Sequence, residues 1–133
     1  PIIWDELALD DDSIMQLVAE DAAEGIGLKI SKNGGLTRCR RQRDMCIAAG
    51  YTMSVQETTG SDIAFAAIVH MGQTVPRKLL RCVLECRDMV AVSTVKNSAD
   101  FPIIDGCVTA PATPGLGIAA NLDVLGEPVA SYK

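Results

Sequence analysis

Apolar and polar positions alternate along this chain in short runs, and each run is followed by a stretch with helical spacing. Over residues 25–31, Ile26, Leu28 and Ile30 fall on one face and Gly27, Lys29 and Ser31 on the other, because side chains alternate along a strand. Over 52–57, Met53 and Val55 oppose Thr52, Ser54 and Gln56 in the same way. The opening Pro1-Ile-Ile-Trp-Asp5-Glu6 predicts a strand that ends on carboxylates, with Glu6 on the side opposite Asp5. A fourth strand is predicted over 79–86, where Leu80, Cys82 and Leu84 oppose Arg81, Val83 and Glu85. Between the strands the spacing predicts three helices: one through Ile14, Leu17 and Val18 to about Ala23, capped by Ser13; one to Ala49, capped by Thr37 and stopped by Gly50; and an apolar one over 63–71. Asn33-Gly34-Gly35 reads as a turn suited to positive φ.

Four strands and three intervening helices at roughly 25-residue spacing amount to half of an eight-stranded β/α barrel. A doubly wound open sheet is the competing α/β architecture. Its central strands are apolar on both faces, whereas barrel strands turn small or functional groups inward, so the alternation favours the barrel. Residues 1–90 are expected to form this second half of the barrel. Residues 91–133, rich in Pro and Gly around Ala110-Pro-Ala-Thr-Pro-Gly-Leu-Gly-Ile118, read as an irregular C-terminal tail laid over a surface.

Composition narrows the function classes. A hydrophobic content of 48% over 133 residues is enough for a core, and the formal net charge of −5 argues against a nucleic-acid or anionic-membrane binder. The basic run Arg38-Cys-Arg40-Arg41-Gln-Arg43 reads as a solvated helix face. The five cysteines include no close CxxC pair, which points away from a disulfide framework or zinc knuckle and fits a reducing cytoplasm; they read as small core hydrophobes. No apolar run approaches the ~18 residues of a membrane span. Opening without Met inside a core strand, the chain reads as a piece of a larger protein.

The chemistry-bearing residues gather at strand ends. Asp5 and Lys29 each close a predicted strand, and a barrel's active site sits at the strand C-termini, so a carboxylate and a lysine there suit metal-assisted proton abstraction. The plainer readings are that Asp5 caps the following turn and that Lys29 is an outward residue paired with Glu. Lys32 reads as a loop charge, with the pocket rim as its alternative place, Glu6 as part of the turn, and His70 as a packing or surface residue of an apolar helix.

These residues resemble a known family. Pro-Ile-Ile-Trp-Asp5-Glu6, Gly-Leu-Lys29-Ile-Ser-Lys32-Asn-Gly-Gly35-Leu-Thr37, Gln56-Glu57-Thr-Thr-Gly60 and Ala64-Phe-Ala-Ala67 are similar to the C-terminal half of the enolase superfamily, in its muconate lactonizing enzyme subgroup. Leu-Arg81-Cys-Val-Leu-Glu85-Cys-Arg-Asp88-Met and the Pro-Gly-rich segment ending at Ile118 most resemble cis-3-hydroxy-L-proline dehydratases and hydroxyproline-betaine epimerases. The resemblance implies a magnesium ion held by three carboxylates, of which Asp5 is the third, with Lys29 as the catalytic lysine. The other two carboxylates, a second lysine and the capping domain would belong to an N-terminal half that precedes residue 1. Gln56, Glu57 and Thr58 fall at the substrate-binding strand end, where Gln56 and Glu57 serve either substrate contact or strand-end structure, and many relatives carry glutamate at the position of Gln56. Glu85 falls near an acidic motif that binds a substrate ammonium in related epimerases.

The leading expectation is a magnesium-dependent lyase, active as a homo-oligomer, that dehydrates cis-3-hydroxy-L-proline through an enolate, with the Lys29 pKa drawn down by the cation and by burial. Epimerisation of a proline betaine is the alternative enzymatic reading; the low aromatic content disfavours the aromatic cage such a cation would use. The alternative from a different class is a non-catalytic barrel fragment that needs a partner chain.

Overall fold

The computed structural model describes residues 1–58, 60–84, 87–97 and 101–132. Its elements run β1 (Ile3–Trp4), α1 (Asp11–Ala19), β2 (Gly25–Lys29), α2 (Leu36–Ala49), β3 (Thr52–Gln56), α3 (Asp62–Gln73) and β4 (Leu80–Val83), then a 3-10 turn at Arg87–Met89 and α4 (Leu122–Leu125). The strands form one sheet in the order β1-β2-β3-β4, and every neighbouring pair is parallel. Each crossover therefore steps one strand in the same direction, and a constant crossover hand puts the successive helices on one side of the sheet. An open doubly wound sheet would reverse direction at a switch point. The α/β fold is that of the C-terminal half of a β/α barrel.

The strand alternation sets the layers. Ile26, Leu28, Met53 and Val55 are completely buried and join Ile14 of α1, Cys39 and Cys46 of α2, and Phe65 and Ile68 of α3 in a single apolar cluster. Burial pushes the Cys39 thiol up to about 11 and that of Cys46 up to about 12, so both behave as small hydrophobes. The other sheet face carries Gly27 and Lys29 of β2 beside Ser54 and Gln56 of β3, in direct register.

Helix α3 is buried along most of its length because the segments after β4 cover it. Asp62 accepts hydrogen bonds from Ser93 Oγ and Thr94 N–H, Gln73 Oε1 accepts from Ala110 N–H, and His70 Nε2–H donates to the Leu116 carbonyl at 3.1 Å. His70 is thus a packing residue. Phe101 meets Phe65 edge to face, and the Arg87 guanidinium lies 4.1 Å from the centre of the Phe65 ring.

Several local expectations need correction. Helix α1 is capped by Asp10, whose side chain accepts from Ser13 N–H while Ser13 Oγ accepts from Asp10 N–H; Ser13 is the third helical residue of a capping box, and the helix ends before Glu20. Helix α2 has Gly35 at its N-cap with no side-chain cap, so Thr37 does not serve there. Strand β4 contains an irregularity: Met53 pairs with Leu80 and Ser54 with Cys82, which leaves Arg81 as an extra residue. Leu80 and Val83 consequently both turn toward Gly72 of α3, where strict alternation had set them on opposite faces. Gly50 ends α2 in the left-handed conformation at φ 76°, as its position predicted.

Candidate active site

Strands β1 and β2 are neighbours, so their C-terminal ends and the loops that follow lie side by side. Asp5 and Glu6 leave β1, which ends at Trp4, and Lys29 is the last residue of β2. The Lys29 ammonium meets Glu6 Oε1 at 2.7 Å and Asp5 Oδ2 at 2.9 Å. Lys32 approaches from the next loop, donating to the Asp5 carbonyl and standing 3.4 Å from Asp5 Oδ1. Two cations and two carboxylates therefore form one cluster. Its lysine side chains are only 11% and 13% exposed, against 41% for Asp5 and 74% for Glu6. The cluster is anchored on its lysine side and open on its carboxylate side.

Gln56 pairs in register with Lys29 on β3 and shares the same sheet face. Between Gln56 and Asp5 lies Gly27. A Cβ at Gly27 would stand 2.6 Å from Gln56 Nε2 and 2.9 Å from Asp5 Oδ1, so the absence of a side chain lets the amide and the carboxylate close over the strand. Glu57 accepts a hydrogen bond from Ser31 N–H at 2.7 Å, tying the β3 loop to the β2 loop. Thr58 is exposed in the loop beyond it, and Glu85 lies outside the described residues.

Three placements depart from the sequence reading. Glu6 joins Asp5 on Lys29 because β1 stops at Trp4, so strand alternation no longer governs the two carboxylates. Lys32 joins the cluster through a mostly buried side chain, which favours its pocket-rim reading over that of a loop charge. The Lys29 pKa is raised from the usual lysine value, first by the hydrogen bond to Glu6 and then by that to Asp5; together these outweigh the lowering by burial. Asn33, read only as a turn residue, is 2% exposed and bonds to both strand-end loops. An Asn four residues after a strand-end lysine is a signal that the turn reading had absorbed.

The donor chemistry fits a hard divalent cation in part. Asp5 and Glu6 offer carboxylate oxygens at the open side, the ligand type magnesium takes. Among the described residues there is no group of three or more His, Cys, Asp or Glu side chains that could hold a metal. Among the described residues no helix is long and apolar enough to cross a membrane.

Comparison with known proteins bears on this cluster. Residues 1–124 match the family described as enolase C-terminal domain-like. The cis-3-hydroxy-L-proline dehydratase of Roseibium aggregatum is 40% identical over 134 residues, an alignment taking in 100% of this chain and 36% of the relative. A crystal structure from Aspergillus oryzae, described as a mandelate racemase/muconate lactonizing enzyme, is 68% identical with a TM-score of 0.92, covering 99% of this chain and 36% of that one. Another of that description, from Roseovarius nubinhibens and complexed with magnesium, is 44% identical with a TM-score of 0.93, covering 100% of this chain and 35% of that one. The chain thus spans about a third of the length of these relatives.

Proposed function

Because this chain belongs to the enolase C-terminal domain-like family, we propose that it forms part of a magnesium-dependent lyase that dehydrates cis-3-hydroxy-L-proline to a cyclic imine acid. The observation that carries the reading is the Lys29 ammonium held between Asp5 and Glu6 at adjacent parallel strand ends, in a chain 40% identical to a dehydratase of that substrate. Asp5, with donors from the rest of the protein, would hold magnesium, which when bound supplies neutralisation of the charge that grows on the substrate carboxylate as the α-proton leaves.

Lys29 is the base in this proposal. With its ammonium on Glu6 and Asp5 it has no lone pair to offer, so it acts once those carboxylates are engaged elsewhere and the neutral amine faces the α-carbon. The Cα–H bond breaks, the proton goes to the Lys29 amine, and the C3–O bond then breaks with its electron pair on oxygen, which takes up a proton from the Lys29 ammonium and leaves as water. The resulting enamine tautomerises to the imine. Gln56, in register with Lys29, offers an amide donor and acceptor to the substrate, and Glu57 and Thr58 form the adjoining rim. The first half of the barrel and a second copy of the enzyme are the partners proposed.

The test uses the full-length enzyme with magnesium and cis-3-hydroxy-L-proline in deuterated solvent. Lys29→Met should leave magnesium and substrate binding intact while α-proton exchange and product formation fall by about two to four powers of ten. Exchange and turnover near the wild-type rate would remove Lys29 from the mechanism. Inversion at Cα with the hydroxyl retained would replace the lyase by an epimerase.

A further inference from the structure

The Asp5–Glu6 turn and the end of β2 are held together by one side chain that takes no part in the charge cluster. Asn33 is 2% exposed, and its side-chain amide and backbone N–H bond to these two segments. Its Oδ1 accepts from Lys29 N–H at 3.2 Å, its own N–H donates to the Lys29 carbonyl at 2.8 Å, and its Nδ2 donates to the Ala8 carbonyl at 2.8 Å. Ala8 is itself completely buried, and its N–H donates to the Asp5 carbonyl at 3.2 Å, closing the turn that carries both carboxylates. A chain of hydrogen bonds thus runs from the Lys29 backbone through Asn33 and Ala8 to Asp5.

We propose that Asn33 is a positioning residue that sets the distance between Lys29 and the Asp5–Glu6 turn. Backbone pairing alone leaves this distance loose, because β1 is only two residues long and its ladder to β2 ends at Trp4 and Ile26. Beyond that point the turn is anchored through Ala8, and an amide is the side chain that can accept from one loop while donating to the other. Aspartate keeps the shape and the acceptor but loses the donor, and sets a carboxylate oxygen against the Ala8 carbonyl in a buried site.

This inference rests on the proposed function for its magnesium and kinetic arms, and the amide-exchange arm is independent of it. In the full-length enzyme, Asn33→Asp and Asn33→Ser are compared with Tyr51→Phe, which removes a hydrogen bond to the Leu17 carbonyl away from the cluster. Magnesium affinity is read by calorimetry, protection of the Lys29 amide by hydrogen exchange, and kcat and KM with cis-3-hydroxy-L-proline. Both Asn33 variants should weaken magnesium binding at least about threefold and lower kcat about tenfold or more with KM little changed, the scale expected of misplaced reacting groups, and Asn33→Ser, which lacks the amide oxygen that holds the Lys29 N–H, should also speed exchange at Lys29. Tyr51→Phe should lower the melting temperature and leave the other readouts alone. If the variant that folds loses only melting temperature, as Tyr51→Phe does, Asn33 is structural and the proposal falls. If wild type does not turn over the substrate or bind magnesium, the proposed function falls, while amide exchange at Lys29 still decides the role of Asn33.

Discussion

At the scale of single residues, the cluster depends as much on an absent side chain as on those present. Gly27 lies on the sheet face between Asp5 and Gln56, and any Cβ there would push one of them away. Gly27→Ala should therefore destabilise the protein by about 1–3 kcal/mol, the range for overpacking a filled site. Because Gln56 Nε2 is the nearer obstacle, adding Gln56→Ala should return part of that loss, whereas the two changes would simply add if they acted independently. Urea melts of the two single variants and the double variant measure this coupling; strict additivity would show that the close approach costs nothing. Asp5 has a backbone-anchored position through the Ala8 N–H, so the amide of Gln56 is the group expected to yield.

Elements fix what residues can do, and here the pattern of the chain was partly legible. The alternation of β2 and β3 and the stop at Gly50 depend on neighbours a few residues away, and each appeared where the sequence put it. Glu6, the β4 register and the α1 cap did not, because each depends on something outside a local window. Glu6 turned on where β1 stops, the faces of Leu80 and Val83 turned on an extra residue opposite β3, and Ser13 looked like a cap until Asp10 supplied the reciprocal bond. The Asp10 cap has a measurable consequence. Its carboxyl is held below the usual aspartate value, first by the hydrogen bond from the Ser13 backbone N–H and then by the Ser13 side chain. A depressed folded-state pKa means that the unfolded chain binds more protons in acid, so the cap's contribution is present above about pH 4 and disappears as pH falls through the folded value. Asp10→Asn, which caps without titrating, should flatten that part of the stability profile in the full-length enzyme, as followed by melting temperature between pH 3 and 6. An unchanged slope would mean that other carboxylates carry the acid sensitivity.

For the whole molecule, the sheet and the charge cluster lead to one expectation about the 133-residue chain by itself. Strand β1 pairs only with β2 and β4 only with β3, so among the described residues each leaves one backbone edge without a strand partner. Unpaired edges recruit further strands, and the exposed Ile2, Leu7 and Leu9 around β1 add apolar surface next to one of them. The cluster at the strand ends holds two carboxylates and two lysines, short of the donors that would enclose a divalent ion. The chain alone should therefore associate in a concentration-dependent manner, bind a hydrophobic dye, and show no turnover of cis-3-hydroxy-L-proline with magnesium present. Supplying the remaining two thirds of the full-length enzyme as a separate polypeptide should suppress association and restore activity together, since the same strands would cover the edges and complete the metal shell. Light scattering, dye fluorescence and turnover, measured across a dilution series with and without that second polypeptide, make the comparison. A monodisperse monomer with a cooperative melt and magnesium-dependent turnover of its own would overturn it, and would require the cluster at Asp5, Glu6, Lys29 and Lys32 to do the chemistry unaided.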